Sequence, residues 1–305
     1  MKLMKKNKEK IFLMPNCLRK GSGIFIFIMC LPAIYGIIKY VLINGYSILL
    51  GFSDGDPFTD GFSLRNFKMF FNDFKGNGIL LIALKNTVKY YLVGVVQQFL
   101  CYIVAYYLYK EIPGHKLFRF AMYLPCLIPG VVSAAIFMEI IRVGGPLYRI
   151  MDTLFGIQYQ DLLSHPETAT KTMIIYILCN GIGTTYLIYV GAMKRIPMSV
   201  LESAELDGCN SWKEFWHIVF PLTFGTYATF FLMSLCGIFT ASGPILYMTQ
   251  GAANTTTLGY WLFSQVIDGY SNYPAAVGVI FTLIGIPILI IVRKVLNKLT
   301  PEVSY

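Results

Sequence analysis

The chain has 305 residues, a length that ordinarily folds as two soluble domains, but its composition does not suit water. Apolar residues make up 56% of it and charged residues 13%, against roughly 25% charged in soluble domains, and the mean hydropathy is +0.60. This excludes a soluble enzyme, a disordered chain and a free nucleic-acid binder. It leaves an integral membrane protein whose net charge of +9 needs its own explanation.

A helix that crosses the hydrocarbon needs about 20 mostly apolar residues. Six stretches qualify, at 22–43, 88–109, 120–141, 172–190, 223–242 and 275–292. The first follows several lysines, as a signal peptide would. Its apolar stretch runs beyond a signal core, however, and no small-x-small cleavage site follows in register, so it reads as a retained span. Only helices or closed barrels satisfy the backbone in lipid, and these runs are too long for barrel strands. The expected fold is all-α with six transmembrane helices. It divides into a basic N-terminus at 1–21, a first span at 22–43, an outer loop at 44–87, a helical core at 88–292 and a tail at 293–305.

Basic loops are held on the cytoplasmic side, so lysine and arginine counts orient the spans. With the N-terminus inside, the inner segments hold sixteen of the 25: seven before the first span, and three each around Lys110, Lys194 and Lys298. The outer loops hold eight. Lys39 lies near the outer end of the first span, where it can snorkel. Both termini are expected to face the cytoplasm, and the positive charge is mostly a topology signal. The outer loops at 45–87 and 142–171 are long enough to be structured. They read equally as a docking surface for an external partner or as plain structural caps.

The seven cysteines (Cys17, Cys30, Cys101, Cys126, Cys179, Cys209 and Cys236) form no CxxC and mostly sit in apolar runs, as structural thiols do. His115, His165 and His217 are too far apart for metal-ligand spacing. No cofactor is indicated.

The loop at 191–222 carries the sharpest pattern. Ser199 with Glu202, and Ser211 with Glu214, are two candidate capping boxes. Gly208 between them permits a sharp turn. Pro221 is expected to end the second helix and open the fifth span. Trp212, Phe215, Trp216 and Val219 fall at i, i+3, i+4 and i+7 and make one apolar stripe. The stripe suits insertion into a groove on another protein, or packing on the inner ends of the chain's own spans.

This loop resembles the EAA loop of ABC importer inner-membrane subunits: E-A-A, three residues, G, nine residues, then I-x-L-P. Here it reads Glu202-Ser203-Ala204, Gly208, and Ile218-x-Phe220-Pro221, with Ser203 and Phe220 as mild departures. Asp207-Gly208 and the Trp212 to Phe215 spacing are similar to the carbohydrate-uptake branch (the maltose, multiple-sugar and glycerol-phosphate type). Leu50-Gly51-Phe52-Ser53 with Leu64-Arg65-Asn66-Phe67, Lys85-Asn86-Thr87, and the run from Tyr247 to Leu258 resemble the same branch more loosely.

The resemblance implies a type I ABC importer permease (MetI-like) fold. It implies a coupling loop in which Glu202, Ser203, Ala204, Asp207, Gly208, Trp212, Phe215, Trp216, Ile218 and Pro221 engage a cleft of a cytoplasmic ATPase. Glu202 is the charged anchor in that reading, or a plain capping acceptor for Ser199 in the other. Two copies of the ATPase subunit, a second permease making a heterodimer and an external solute-binding protein are the implied partners. The chain itself holds no G-x-x-x-x-G-K-[ST], so ATP hydrolysis falls to another chain. Gln97, Gln98, Asn180, Thr184, Thr185 and Ser234 are the mid-span polar residues that line a pathway or bridge helices. Few ionised groups lie deep in the spans, and Glu139 has Arg142 one turn on as a partner. Hydroxyls, amides and tyrosines suit a neutral polyhydroxylated solute. Competing readings are an importer of another solute such as a glycerophosphodiester or oligopeptide, a secondary transporter, or a membrane enzyme. The last two lack the intramembrane carboxylates or catalytic clusters they call for.

Overall fold

A computed structural model describes residues 16–76, 78–181, 185–240 and 242–299. Among them every regular element is helical. The order is α1 (Asn16–Gly51), α2 (Arg65–Lys75), α3 (Ile79–Tyr109), α4 (His115–Leu127), α5 (Gly130–Ile141), α6 (Pro146–Phe155) and α7 (Pro166–Asn180). Then come α8 (Thr185–Met193), α9 (Met198–Leu206), α10 (Ser211–Glu214), a π-helical turn (Phe215–Val219), α11 (Phe220–Cys236), α12 (Ile245–Met248), α13 (Leu258–Ile267) and α14 (Asn272–Leu299). Five helical runs are long and apolar enough to cross a bilayer: Phe25–Gly51, Ile79–Tyr109, Gly130–Phe155, Ser211–Cys236 and Asn272–Leu299. The pair α7 and α8, bent by 46° relative to each other, brings the number to six where it is counted as one span.

Several boundaries differ from the hydropathy reading, each for a local reason. The first span continues past residue 43 to Gly51, because the apolar run resumes at Tyr46 and the Asn44 amide satisfies itself by donating to the Tyr40 carbonyl at 2.7 Å. It stops where α1 meets α14: a Cβ on Gly51 would lie 3.0 Å from the Ala276 backbone. The carbonyls left over at that helix end and in the turn after it need donors. Asn272 Nδ2 donates to Leu50, Ser53 and Gly55, and Asn66 Nδ2 donates to Ser53 at 2.8 Å. With α3 opening at Ile79, the loop after the first span shrinks to 52–78 and contains the amphipathic α2.

The third span does not run unbroken from 120 to 141. Ile128 is extended (φ −87°, ψ 127°), as the ring of Pro129 demands of the residue before it, and the helix restarts at Gly130. The crossing therefore lies further along, at Gly130–Phe155. The fifth span opens at Ser211 rather than 223, and Pro221 ends nothing. It sits in the first turn of α11, directly after the backbone has widened into the π-helical turn, where the Phe220 N–H reaches the Phe215 carbonyl. Widening relieves the clash a proline ring makes with the carbonyl four residues back. The last span lengthens at both ends, to Asn272–Leu299.

Two buried clusters sit at opposite ends of α3, which at 31 residues is about 46 Å long. One gathers Tyr102, Leu108, Tyr189, Met193, Phe215 and Val219; the other gathers Phe70, Leu80, Ala83, Leu258, Trp261 and Phe281. The segment between α11 and α14 contains α12 and α13. Its turn is strained: Gln250, Ala253 and Asn254 all have φ near +50°, an arrangement that needs outside support. Asn86 of α3 supplies it, donating to the Asn254 carbonyl at 2.6 Å and to that of buried Thr256 at 3.0 Å. Thr87 adds a third tie by accepting from the Leu258 N–H at 2.9 Å. Asn86→Ala is expected to cost about 1–3 kcal/mol by stranding these acceptors, read as a lowered melting temperature in detergent. An unchanged melting temperature would show that the turn holds itself.

Candidate functional site

The helix pair sits at the Lys110 end of α3. Between Pro197 and Asp207, α9 has no buried residue at all. Its start lacks the expected Ser199–Glu202 box: Pro197 occupies the cap position and has no side chain to accept, while the Ser203 hydroxyl donates to the Ser199 carbonyl at 2.7 Å. Its end is a Schellman turn. Gly208 takes φ +74°, its N–H reaches Glu205, and the Cys209 N–H reaches Ala204, each at 3.0 Å.

The second box is displaced by one residue. Asn210 caps α10, its side chain accepting from the Lys213 N–H at 2.9 Å. That leaves Glu214 free to pair with Lys110 Nζ at 2.9 Å. The apolar stripe divides. Phe215 and Val219 are 2% and 0% exposed within the protein's own core, whereas Trp212 and Trp216 remain 67% and 38% exposed. Of the other coupling candidates, Glu202, Ser203 and Asp207 are exposed, Ala204 and Ile218 are half-buried, and half-buried Pro221 lies inside the helix. Phe215 therefore belongs to the foundation of this element rather than to its outer face.

A cavity of about 290 Å³ lies between α3, α7, α11 and the turn before α12. Thr87, Tyr90, Tyr91 and Gly94 form one wall, with Ser234, Ser242 and Thr257 opposite. The buried Tyr91 hydroxyl lies near the Ser234 side chain across the cavity. Of the described mid-span polar residues, only Ser234 faces this space. Gln97 donates to the Ile177 carbonyl at 2.8 Å, Gln98 to the Tyr189 hydroxyl at 3.0 Å, and Asn180 accepts from the Ser133 hydroxyl at 2.7 Å. All three bridge helices. Thr185 opens α8, and Thr184 lies outside the described residues. Sequence reasoning missed the α3 wall, although Thr87, Tyr90, Tyr91 and Gly94 fall at i, i+3, i+4 and i+7, a legible polar and small-residue stripe.

At the opposite end, Glu139 and Arg142 pair at 2.9 Å as their spacing suggests. In the loop after α6, the Ser164 hydroxyl and the Leu163 N–H both donate to Asp161 and hold its carboxyl below the ordinary range.

Helices long and apolar enough to cross a bilayer, a partly open cavity between them and an exposed helix pair at one end suit a membrane permease. The chain belongs to the family of binding-protein-dependent transport system inner membrane components, which matches residues 21–300. The members it resembles are transport permease proteins and catalyse no chemistry themselves. It is 26% identical over 236 residues to the multiple sugar-binding transport system permease protein MsmF of Streptococcus mutans, covering 74% of this chain and 78% of that one. It is 28% identical over 198 residues to the sn-glycerol-3-phosphate transport system permease protein UgpA of Agrobacterium fabrum, covering 63% and 66%. It shares its fold, at a TM-score of 0.80 and 16% identity, with a chain of a bacterial alginate ABC transporter crystallised with an alginate pentasaccharide-bound periplasmic protein. That match covers 93% of this chain and 98% of the other.

Proposed function

We propose that this permease forms half of the pathway of an ATP-driven importer for a neutral sugar, in particular an oligosaccharide, and that α9 and the start of α10 couple it to the ATPase. The observation that carries the coupling reading is the exposed apolar surface of that element: Leu206 is 89% exposed, and Met198 and Trp212 are 67% exposed each. Such surface at the end of a span, where it leaves the lipid, fits a partner's groove. The family dependence on a binding protein supports delivery of the solute from outside. A second permease and two ATPase subunits complete the assembly. The excess of basic residues at this end supports a cytoplasmic location for the helix pair and both termini.

The sugar reading rests on the relatives' names and on the cavity. Its mostly apolar lining, with the hydroxyls of Tyr90, Tyr91 and Ser234 among it, suits the C–H faces and hydroxyl groups of a neutral sugar. Among the described residues no side chain with a full positive charge lines it, which disfavours the glycerophosphodiester reading. The test is uptake into proteoliposomes holding the full importer and its binding protein. ATP-dependent entry of a labelled oligosaccharide that a glycerophosphodiester does not compete away is the expected result. Preferential uptake of the phosphodiester would overturn the substrate assignment.

A further inference from the structure

The coupling arm is fastened to α3 at three levels. At the tip, Lys110 Nζ bonds both carboxylate oxygens of Glu214, at 2.9 and 3.2 Å. One turn deeper, the Tyr106 hydroxyl donates to the Ser211 carbonyl at 2.8 Å, and its ring meets that of Phe215 edge-on at 5.0 Å. Deeper still, the Tyr102 hydroxyl bonds the Thr223 hydroxyl. The charges of the tip pair also suit their helices. Lys110 is the C-terminal cap residue of α3 and Glu214 lies in the first turn of α10, so each faces the favourable end of its helix dipole.

The same helix carries the Thr87, Tyr90 and Tyr91 wall of the cavity and, through Asn86, the strained turn before α13. A rigid α3 thus joins the arm to the cavity wall without an intervening loop. By contrast, α9 has no fully buried residue and meets this body through half-buried Leu201 and the turns on either side.

We infer that Lys110 is a positioning residue for transport: with Glu214 it clamps the coupling arm to α3, so that displacement of the arm is delivered to the cavity wall. Glu214 is only 8% exposed, so loss of the lysine leaves a buried carboxylate with no counter-charge, and the arm tip is driven off α3. ATP hydrolysis then continues while the pathway responds weakly. This inference rests on the coupling role proposed above for α9 and α10.

The experiment is the ratio of solute imported to ATP hydrolysed, in proteoliposomes holding the full importer. The variants are Lys110→Met, Glu214→Gln, the charge swap Lys110→Glu with Glu214→Lys, and Lys110→Arg. Each single neutralisation is expected to lower the ratio at least five-fold with hydrolysis retained, while the swap and Lys110→Arg recover most of it. If the single variants do not assemble, recovery of assembly and coupling by the swap still supports the clamp. A wild-type ratio in both single variants, or a swap no better than either, overturns it. Trp212→Ala run alongside separates the two ideas. If Trp212→Ala also leaves ATPase binding and transport intact, the coupling role itself fails; if it weakens them while Lys110→Met stays coupled, only the clamp fails.

Discussion

Phe215→Ala and Trp212→Ala are expected to disable the protein in opposite ways. Phe215 is buried and packs its ring against Tyr102, Tyr106 and Phe220 at centroid distances of 5.7, 5.0 and 6.3 Å. Truncating it leaves a cavity in the cluster that anchors the coupling arm, at a cost of about 3–5 kcal/mol. The variant should melt early and yield little protein. Trp212 stands outside that cluster, touching Phe215 and Trp216 at 6.2 and 5.9 Å with most of its surface free. Its removal should leave the melting temperature nearly unchanged. As an anchor in a partner's groove it is expected to contribute about 2 kcal/mol or more, which weakens ATPase association roughly 30-fold. Thermal unfolding and ATPase binding, measured on both variants, check the pair. Equal destabilisation by the two, or unimpaired ATPase binding by Trp212→Ala, contradicts this division of the stripe.

Gly208→Pro is expected to abolish uptake while leaving the spans inserted. The residue holds φ +74° and donates its N–H to Glu205. Proline fixes φ near −65° and has no N–H, so both the turn and its hydrogen bond are lost, and α9 is re-aimed relative to the arm. Gly208→Ala is the graded control. Alanine keeps the donor but strains in the left-handed region by about 1–2 kcal/mol, so partial uptake should survive. Uptake by Gly208→Pro at wild-type rate would remove α9 from the coupling mechanism.

The spans were legible because hydropathy is a bulk property. Twenty apolar residues in a row read the same whether or not their neighbours are known. Gly208 was legible too, since a left-handed turn narrows the choice of residue. What failed depended on distant or competing partners. Ser211 and Asn210 are both good caps, and the preference for Asn210 is tied to Glu214 pairing with Lys110, 104 residues away. The Trp212 to Val219 stripe satisfies helical spacing, but only the aromatic cluster from α3 and α8 decides which of its members are buried. Polarity alone left Gln97, Gln98 and Asn180 as either pathway-lining or helix-bridging residues. Their amides are taken by carbonyls and hydroxyls of neighbouring helices that no local pattern reveals. Ile128 is the counterexample: Pro129 announces the break there, and hydropathy averaging across 120–141 conceals it.

The central claim, that this permease works by passing an ATPase's movement through α9 and the arm of α10, is tested most directly by gentle detergent purification from the native membrane. Wild type and Trp212→Ala would be compared by mass spectrometry of what accompanies each. The account predicts that wild type brings down an ATPase with a phosphate-binding loop and a second six-span permease, and that Trp212→Ala keeps the permease but loses most of the ATPase. A wild-type chain that purifies alone and still moves solute into vesicles without ATP would contradict it.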